Sequence, residues 1–572
     1  MDINSRASPV HDSRPLTRKT LVLLVAVLAV IWFGNLDFRK LVRPDEGRYA
    51  EIPREMTATG DWLTPRLNGI KYFEKPPLQY WATAAAYKLL GEHQWTVRLW
   101  PALTGFAGVV LVYFVGTALF GALAGLYAAV VVAGSLGYIF LGHVATLDMG
   151  VTFFMTLTLA GLLLGLRETT TVSQRRVWIH LAWAGMALAT LSKGLIGIVL
   201  PGSVIAVYIL LERNFSLLRR LHIASGAALL LAVAAPWFVS VSIVNPEFFH
   251  FFFIHEHFQR FLTKVHHRVQ PWWYFLPILA FSILPWFITL CDTLPRMWHR
   301  RPPPEHFQPQ RFLLIWSMVI FVFFSISSSK LPSYILPILP ALALLMGLRL
   351  TEMAPRRFAW HLLPILAIAL GVFALAPEAV RFASNEVPVS LYEAYVPWLR
   401  AAGGAVAIGT LYALYQCRVG KMTSAAIGTC CCALIGGQLA MMGHDSLARA
   451  SSAYFIAREI KPYLKPDAPF YSVGTYEQTL PFYIKRTVTL VAFADEMAYG
   501  LVQEPQLWLR DYTEFKRAWR NADYALALMT PRTYDEFKNA GLPMEVIARD
   551  TRRVIVRTVA RKPAVRGTPP TL

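Results

Sequence analysis

Residues 44–81 read PDEGRYAEIPREMTATGDWLTPRLNGIKYFEKPPLQYW and follow directly on the first long apolar run. They bring Asp45, Glu46, Arg48, Glu74 and Lys75 together among Gly, Pro and aromatic residues. A loop this charged at a membrane surface is a candidate active-site loop. Further ionisable groups recur where the chain is otherwise apolar. These are Asp148 after GHVATL, Lys193 in LSKGL, and Lys330, Ser333 and Tyr334 in SSSKLPSY. The aromatic loop 244–270 adds His255, His257, Arg260, Lys264, His266, His267 and Arg268. Ionisable groups near membrane depth are costly and face a cavity or pair with one another. Cations stabilise the charge that grows on a departing phosphate, and carboxylates orient or deprotonate an acceptor. Acids and cations converging on one cavity suit catalysis on an anionic lipid.

Each residue also has a plainer reading. Asp45 either caps a helix beginning near Glu46 or faces a substrate. Asp148 is equally placed to cap the fourth apolar segment. Lys193 either snorkels, pairs with a carboxylate for topology alone, or serves the cavity. Glu74 and Lys75 before Pro76-Pro77 form either a solvated turn or part of the site. Most of the histidines between 255 and 267 read best as surface groups among interfacial aromatics, and Trp272, Trp273 and Tyr274 as interface anchors. Their agreement on one face favours a shared site.

That agreement depends on topology. The 572 residues are 55% hydrophobic and 16% charged, with a mean hydropathy of +0.43, outside the range of soluble domains. Thirteen apolar segments are expected to span a membrane: 20–34, 97–119, 120–141, 149–166, 177–192, 195–212, 221–243, 271–291, 311–327, 331–350, 357–376, 397–416 and 424–443. The first has basic residues before it, as a signal peptide does, but lacks a small-residue cleavage site and reads as an anchor. With the N-terminus inside, inner loops hold nineteen Lys and Arg and the short outer loops six. This is the positive-inside bias, and it places all the groups above on the outer side. The five cysteines fall in spans or inside, so an oxidising exterior finds no pair to bridge. Cys430, Cys431 and Cys432 read as small packing residues. The net charge of +20 is scattered over membrane loops, which argues against nucleic acid and leaves membrane lipids as partners.

Two regions are expected: a membrane domain, 1–443, with a first outer loop at about 35–96, and an outer α/β domain, 444–572. In the second, 469–474, 487–493, 524–530 and 552–558 read as strands, and 511–521 and 533–540 as helices. The Pro-rich 300–311 reads as a stiff connector. The charges lie at one face and no inverted repeat is visible, which disfavours a transporter.

The stretches RPDEGRYAEIPREM, GDWLTPRLNGIKYFEKPPLQYW, SKG and SSSKLPSYILPILPALAL resemble the lipid A 4-amino-4-deoxy-L-arabinose transferase family. Its members are polytopic glycosyltransferases of the GT-C class related to protein O-mannosyltransferases. The resemblance covers most of the chain but no motif of the C-terminal domain. It implies a GT-C fold of about thirteen transmembrane helices, with a small α/β domain in the periplasm. The implied donor is undecaprenyl phosphate carrying aminoarabinose, and the implied acceptor is a phosphate of lipid A. The reaction would occur at the periplasmic face of a bacterial inner membrane and confer polymyxin resistance. Asp45 matches the family's first-loop acid, with Asp148 and Lys193 as further catalytic candidates. Arg48, Lys75, Arg260 and Tyr334 are candidates for the lipid phosphate. Glu74 and His255 are candidate ligands for a divalent ion such as zinc, but two ligands fall short of the four of a structural zinc site and no cofactor is demanded. The chain is expected to act as a monomer. Another polyprenyl-phosphate-dependent transferase, with a different sugar or a protein acceptor, is the alternative.

Overall fold

In lipid every backbone polar group must find a partner within the protein, so apolar runs of this length fold as helices. A computed structural model describes residues 17–259, 270–299 and 307–559, with the backbone alone at 255–259 and 298–299. Among these residues seven helices are long and apolar enough to cross a membrane: Gln94–Phe120, Asp148–Gly165, Ile223–Val244, Pro309–Ile326, Pro332–Thr351, Pro355–Phe382 and Met422–Ser451. Four more of the expected segments are helices that are shorter or more polar: Arg18–Phe33, Val172–Lys193, Ile196–Glu212 and Val389–Arg418. The last two expected spans are broken. Ala122–Ala133 and Leu136–Gly142 meet at 65°, and Trp272–Ser282 and Phe287–Met297 at 115°.

The breaks satisfy each other. The Leu136 amide, freed where the helix stops, donates to the Leu284 carbonyl at the other break, at 3.0 Å. Gly137 lies against Ser282 so closely that a Cβ would sit 2.6 Å from the serine Cβ. Irregular backbone at membrane depth survives only where protein covers it in this way.

The first polar loop folds into a helix, Asp45–Thr59, a short hairpin, Arg66–Leu67 with Ile70–Lys71, and a second helix, Leu78–Leu90. Asn68 and Gly69 turn the hairpin at φ 57° and 79°, the left-handed pair that an Asn-Gly sequence favours. The C-terminal sheet has six strands in the order Trp508–Leu509, Thr489–Val491, Phe470–Val473, Leu526–Met529, Val554–Arg557 and Glu545–Arg549. The first four run parallel, and Val554–Arg557 pairs antiparallel with both of its neighbours. Four strands and the helices Tyr512–Asn521 and Pro531–Asn539 fall where the sequence places them. The two edge strands are too short or too polar to stand out.

Loop and sheet share one apolar cluster, with Tyr49, Ile52, Leu67 and Tyr80 from the loop and Phe470, Leu490, Leu528 and Ile555 from the sheet. Polar seams run beside it. Asn68 donates to the Val488 carbonyl at 2.7 Å and accepts from its amide at 2.8 Å. Arg66 pairs with Glu504 at 2.9 Å. Gly47 touches the far side directly, since a Cβ there would lie 2.5 Å from the Gln478 carbonyl carbon and 2.6 Å from the Thr479 nitrogen. Backbone cannot yield as a side chain does. A Gly47→Ala protein is therefore expected to lose about 1–3 kcal/mol by overpacking. A thermal midpoint equal to wild type in the detergent-solubilised protein would refute that.

Candidate active site

Asp148 opens the helix Asp148–Gly165, yet the capping position is Leu147 and no side chain caps it. The Asp148 carboxylate turns instead to the Lys193 ammonium and forms an ion pair with it. Lys193 is the last residue of Val172–Lys193. Anion and cation thus occupy the helix ends that favour each sign. The same ammonium lies 4.8 Å from the centroid of the Tyr334 ring. Three separate elements deliver these groups, and both charged side chains are largely buried.

Asp45 likewise caps nothing. Pro44 holds the capping position and Asp45 lies in the first turn. Its exposed carboxylate accepts from Arg48 Nη1 at 3.0 Å. The other side of that guanidinium pairs with Glu496 of the C-terminal domain, a carboxylate largely buried by the fold. Burial raises the Glu496 pKa, and the Arg48 charge opposes the rise. Tyr49 connects the two groups. Burial raises its phenol pKa, Arg48 lowers it, and Asp45, Glu74 and Asp148 all add to the rise. Acids from three elements therefore act on one ring, which stacks on Tyr80 with centroids 6.1 Å apart.

The Glu74 carboxylate is 3.8 Å from the Lys75 ammonium, which donates to the Glu74 carbonyl at 2.8 Å. Both side chains are largely buried, so the solvated-turn reading falls. The buried hydroxyls of Tyr72, Tyr80 and Tyr476 and the amide of Gln79 meet no hydrogen-bond partner among the described residues. Buried polar atoms of this kind require a partner, and a polar ligand is one. Arg48 and Glu496 act electrostatically on all three phenols.

Arg260, Lys264, His266, His267 and Arg268 lie outside the described residues, as do the side chains of His255 and His257. Among the described residues no three His, Cys, Asp or Glu side chains are grouped to hold a metal. Among the described groups beside Glu74 is the Lys75 ammonium. Sequence reasoning missed Glu496, Tyr49, Tyr72, Tyr80 and Tyr476. The first-loop tyrosines carried a signal in their density, and Glu496 carried none.

A family model described as dolichyl-phosphate-mannose-protein mannosyltransferase matches residues 17–299, and one described as aminoarabinose transferase C-terminal domain matches 456–558. The crystal structure of ArnT from Cupriavidus metallidurans bound to undecaprenyl phosphate superposes with a TM-score of 0.90 at 39% identity, over 95% of this chain and 99% of that one. The chain belongs to the aminoarabinose transferase family. Its fold is accordingly the GT-C fold, and its C-terminal sheet is the family's own. Among curated relatives, undecaprenyl phosphate-alpha-4-amino-4-deoxy-L-arabinose arabinosyl transferase 1 of Pseudomonas fluorescens is 36% identical, over 63% of this chain and 66% of its own length. The second transferase of that name from Proteus mirabilis is 30% identical over 70% of each chain. The match thus spans just under two thirds of the Pseudomonas fluorescens relative. The aminoarabinose transferase family resemblance read from the first-loop motifs holds across nearly the whole fold.

Proposed function

We propose that the chain transfers 4-amino-4-deoxy-L-arabinose from undecaprenyl phosphate to a phosphate of lipid A, at the periplasmic face of a bacterial inner membrane. The observation that carries this reading is the near full-length likeness, at 39% identity, to an ArnT bound to undecaprenyl phosphate. The site's chemistry supports it. The bond from the sugar's anomeric carbon to the donor phosphate oxygen breaks while a bond to an acceptor phosphate oxygen forms. Undecaprenyl phosphate leaves with the electron pair. Lys75, Arg48 and Arg260 stabilise the charge that grows on it, and Tyr334 donates a hydrogen bond. Arg suits phosphate by two-point contact and Lys as a point charge. The acceptor phosphate is already ionised near neutral pH, so Asp45 orients the acceptor or the sugar's amino group and removes no proton. Asp148 shares that role, and Lys193 balances it while standing over Tyr334. The family resemblance favours one displacement with inversion. No step runs through a metal ion, and Glu74 with His255 remains the place to look for one. The product's added positive charge weakens binding of polymyxin and other cationic peptides.

The deciding experiment is mass spectrometry of lipid A from cells that make the donor but lack their own transferase, with and without this chain. The expected result is a gain of one aminoarabinose per modified phosphate. Well-inserted protein with no such gain would redirect the reading to another sugar or acceptor on the same fold.

A further inference from the structure

The helix Pro332–Thr351 has Tyr334 of the active site near one end and Arg349 near the other. Its 20 residues reach roughly 30 Å, the thickness of a bilayer's hydrocarbon core. Arg349 therefore marks the opposite membrane surface, and an unusual cluster sits there. Asp292, in the second arm of the span bent by 115°, is 7% exposed. Its carboxylate accepts from Arg349 Nε at 2.8 Å and Arg296 Nη1 at 2.5 Å, and pairs with Arg357.

Arg349 alone, equally buried, neutralises Asp292. Arg296 and Arg357 bring two further charges and remain 40% and 47% exposed. Exposed Arg356 is the sequence neighbour of Arg357, and Glu352 lies 4.0 Å from Arg349 Nη1. Among the described residues three guanidiniums thus meet on the one Asp292 carboxylate. The positive-inside bias needs only scattered cations. Here they converge from three helices onto one buried anchor, with outward donors held in place. The support beneath is rigid. Trp286 stacks on Phe358 with centroids 6.2 Å apart, and Thr289 bonds His361 at 3.2 Å. Beside the arginines, Trp360 is 72% exposed one turn along its helix, as an interface anchor would be.

We propose that this cluster is a binding site for the phosphate of an anionic phospholipid in the leaflet opposite the active site. A fixed arginine fork matches a phosphate by paired N–H contacts. Basic pockets between spans on such a face take acidic headgroups. A lipid here would hold the bent span against the helices Pro332–Thr351 and Pro355–Phe382.

The test uses the full chain reconstituted in phosphatidylcholine vesicles with a minor share of phosphatidylglycerol, followed by native mass spectrometry of the retained lipids. Wild type is expected to retain phosphatidylglycerol well above its share. The double variant R296Q/R357Q keeps the Arg349–Asp292 pair and is expected to lose roughly 30-fold in that preference. Either single variant loses part of it, which keeps the test open if the double variant fails to fold. R381Q, at the far end of the same helix, is expected to retain it. Unchanged preference in the single and double variants would overturn the proposal, as would an equal loss in R381Q. Displacement of the lipid by inorganic phosphate would overturn the lipid as the occupant.

Discussion

An Asp45→Asn protein is expected to reach the membrane folded and at normal abundance, yet to transfer sugar about 10²–10³-fold more slowly. The structural cost is small because the Asp45 side chain is half exposed, caps no backbone amide and makes one ion pair, with Arg48. Arg48 keeps its bond to Glu496 in the variant. Asn preserves shape and removes charge, so on the proposed reading it takes away the attraction that orients the sugar's cationic amino group. The check is lipid A modification at matched membrane abundance, together with the turnover of purified protein. Loss of abundance in proportion to loss of product would make Asp45 a structural residue and sink its catalytic role.

Glu46→Gln should produce the largest loss of stability, about 3–5 kcal/mol, by leaving a buried guanidinium unpaired. The Glu46 carboxylate is fully buried and accepts from Arg98 Nε at 2.7 Å and Nη2 at 2.8 Å. It also accepts from the amides of Val42 at 3.0 Å and Ala145 at 3.2 Å. Arg98 in turn donates to the carbonyls of Leu36, Arg39 and Lys40. One pair thus gathers the chain after the first span, the start of the Asp45 helix and the segment leading to Asp148. Burial alone would raise the Glu46 pKa, but the charge and hydrogen bonds of Arg98 hold it down to about 2, from an ordinary 4.5. A depressed pKa stabilises the fold fully above the unfolded value, and the contribution fades as pH falls towards the folded one. The gap between wild type and E46Q should therefore be wide near neutral pH and close as pH drops below 4.5 towards 2. Denaturant titration at several pH values reads this directly. Equal unfolding midpoints at neutral pH would refute it.

Much of this was legible in the sequence because it is local. Apolar runs give helices, and short β-like runs give the sheet's inner strands. The misses have physical causes. The sequence left Asp45 and Asp148 open between helix caps and site residues, because spacing alone allows both; Pro44 and Leu147 hold the capping positions, and the acids pair with Arg48 and Lys193. The bends in the third and eighth spans depend on a bond between Leu136 and Leu284, which no single apolar window contains. Glu496 looks like any surface acid until the fold carries it to Arg48, a contact between the first loop and the last domain.

The shared cluster of loop and sheet has a consequence for how the chain is made. The first loop emerges early in synthesis, and the strands that cover it are encoded at its far end. At about 5–20 residues per second, the loop waits on the order of 20–90 s for its other half. Until then Ile52, Leu67 and Tyr80 face water, and buried Glu51 and Glu55 have not yet been enclosed. A ribosome that stalls within the last spans leaves a sticky, half-built surface. That surface is a natural target for quality-control proteases, so full-length synthesis itself becomes a condition for survival of the first loop.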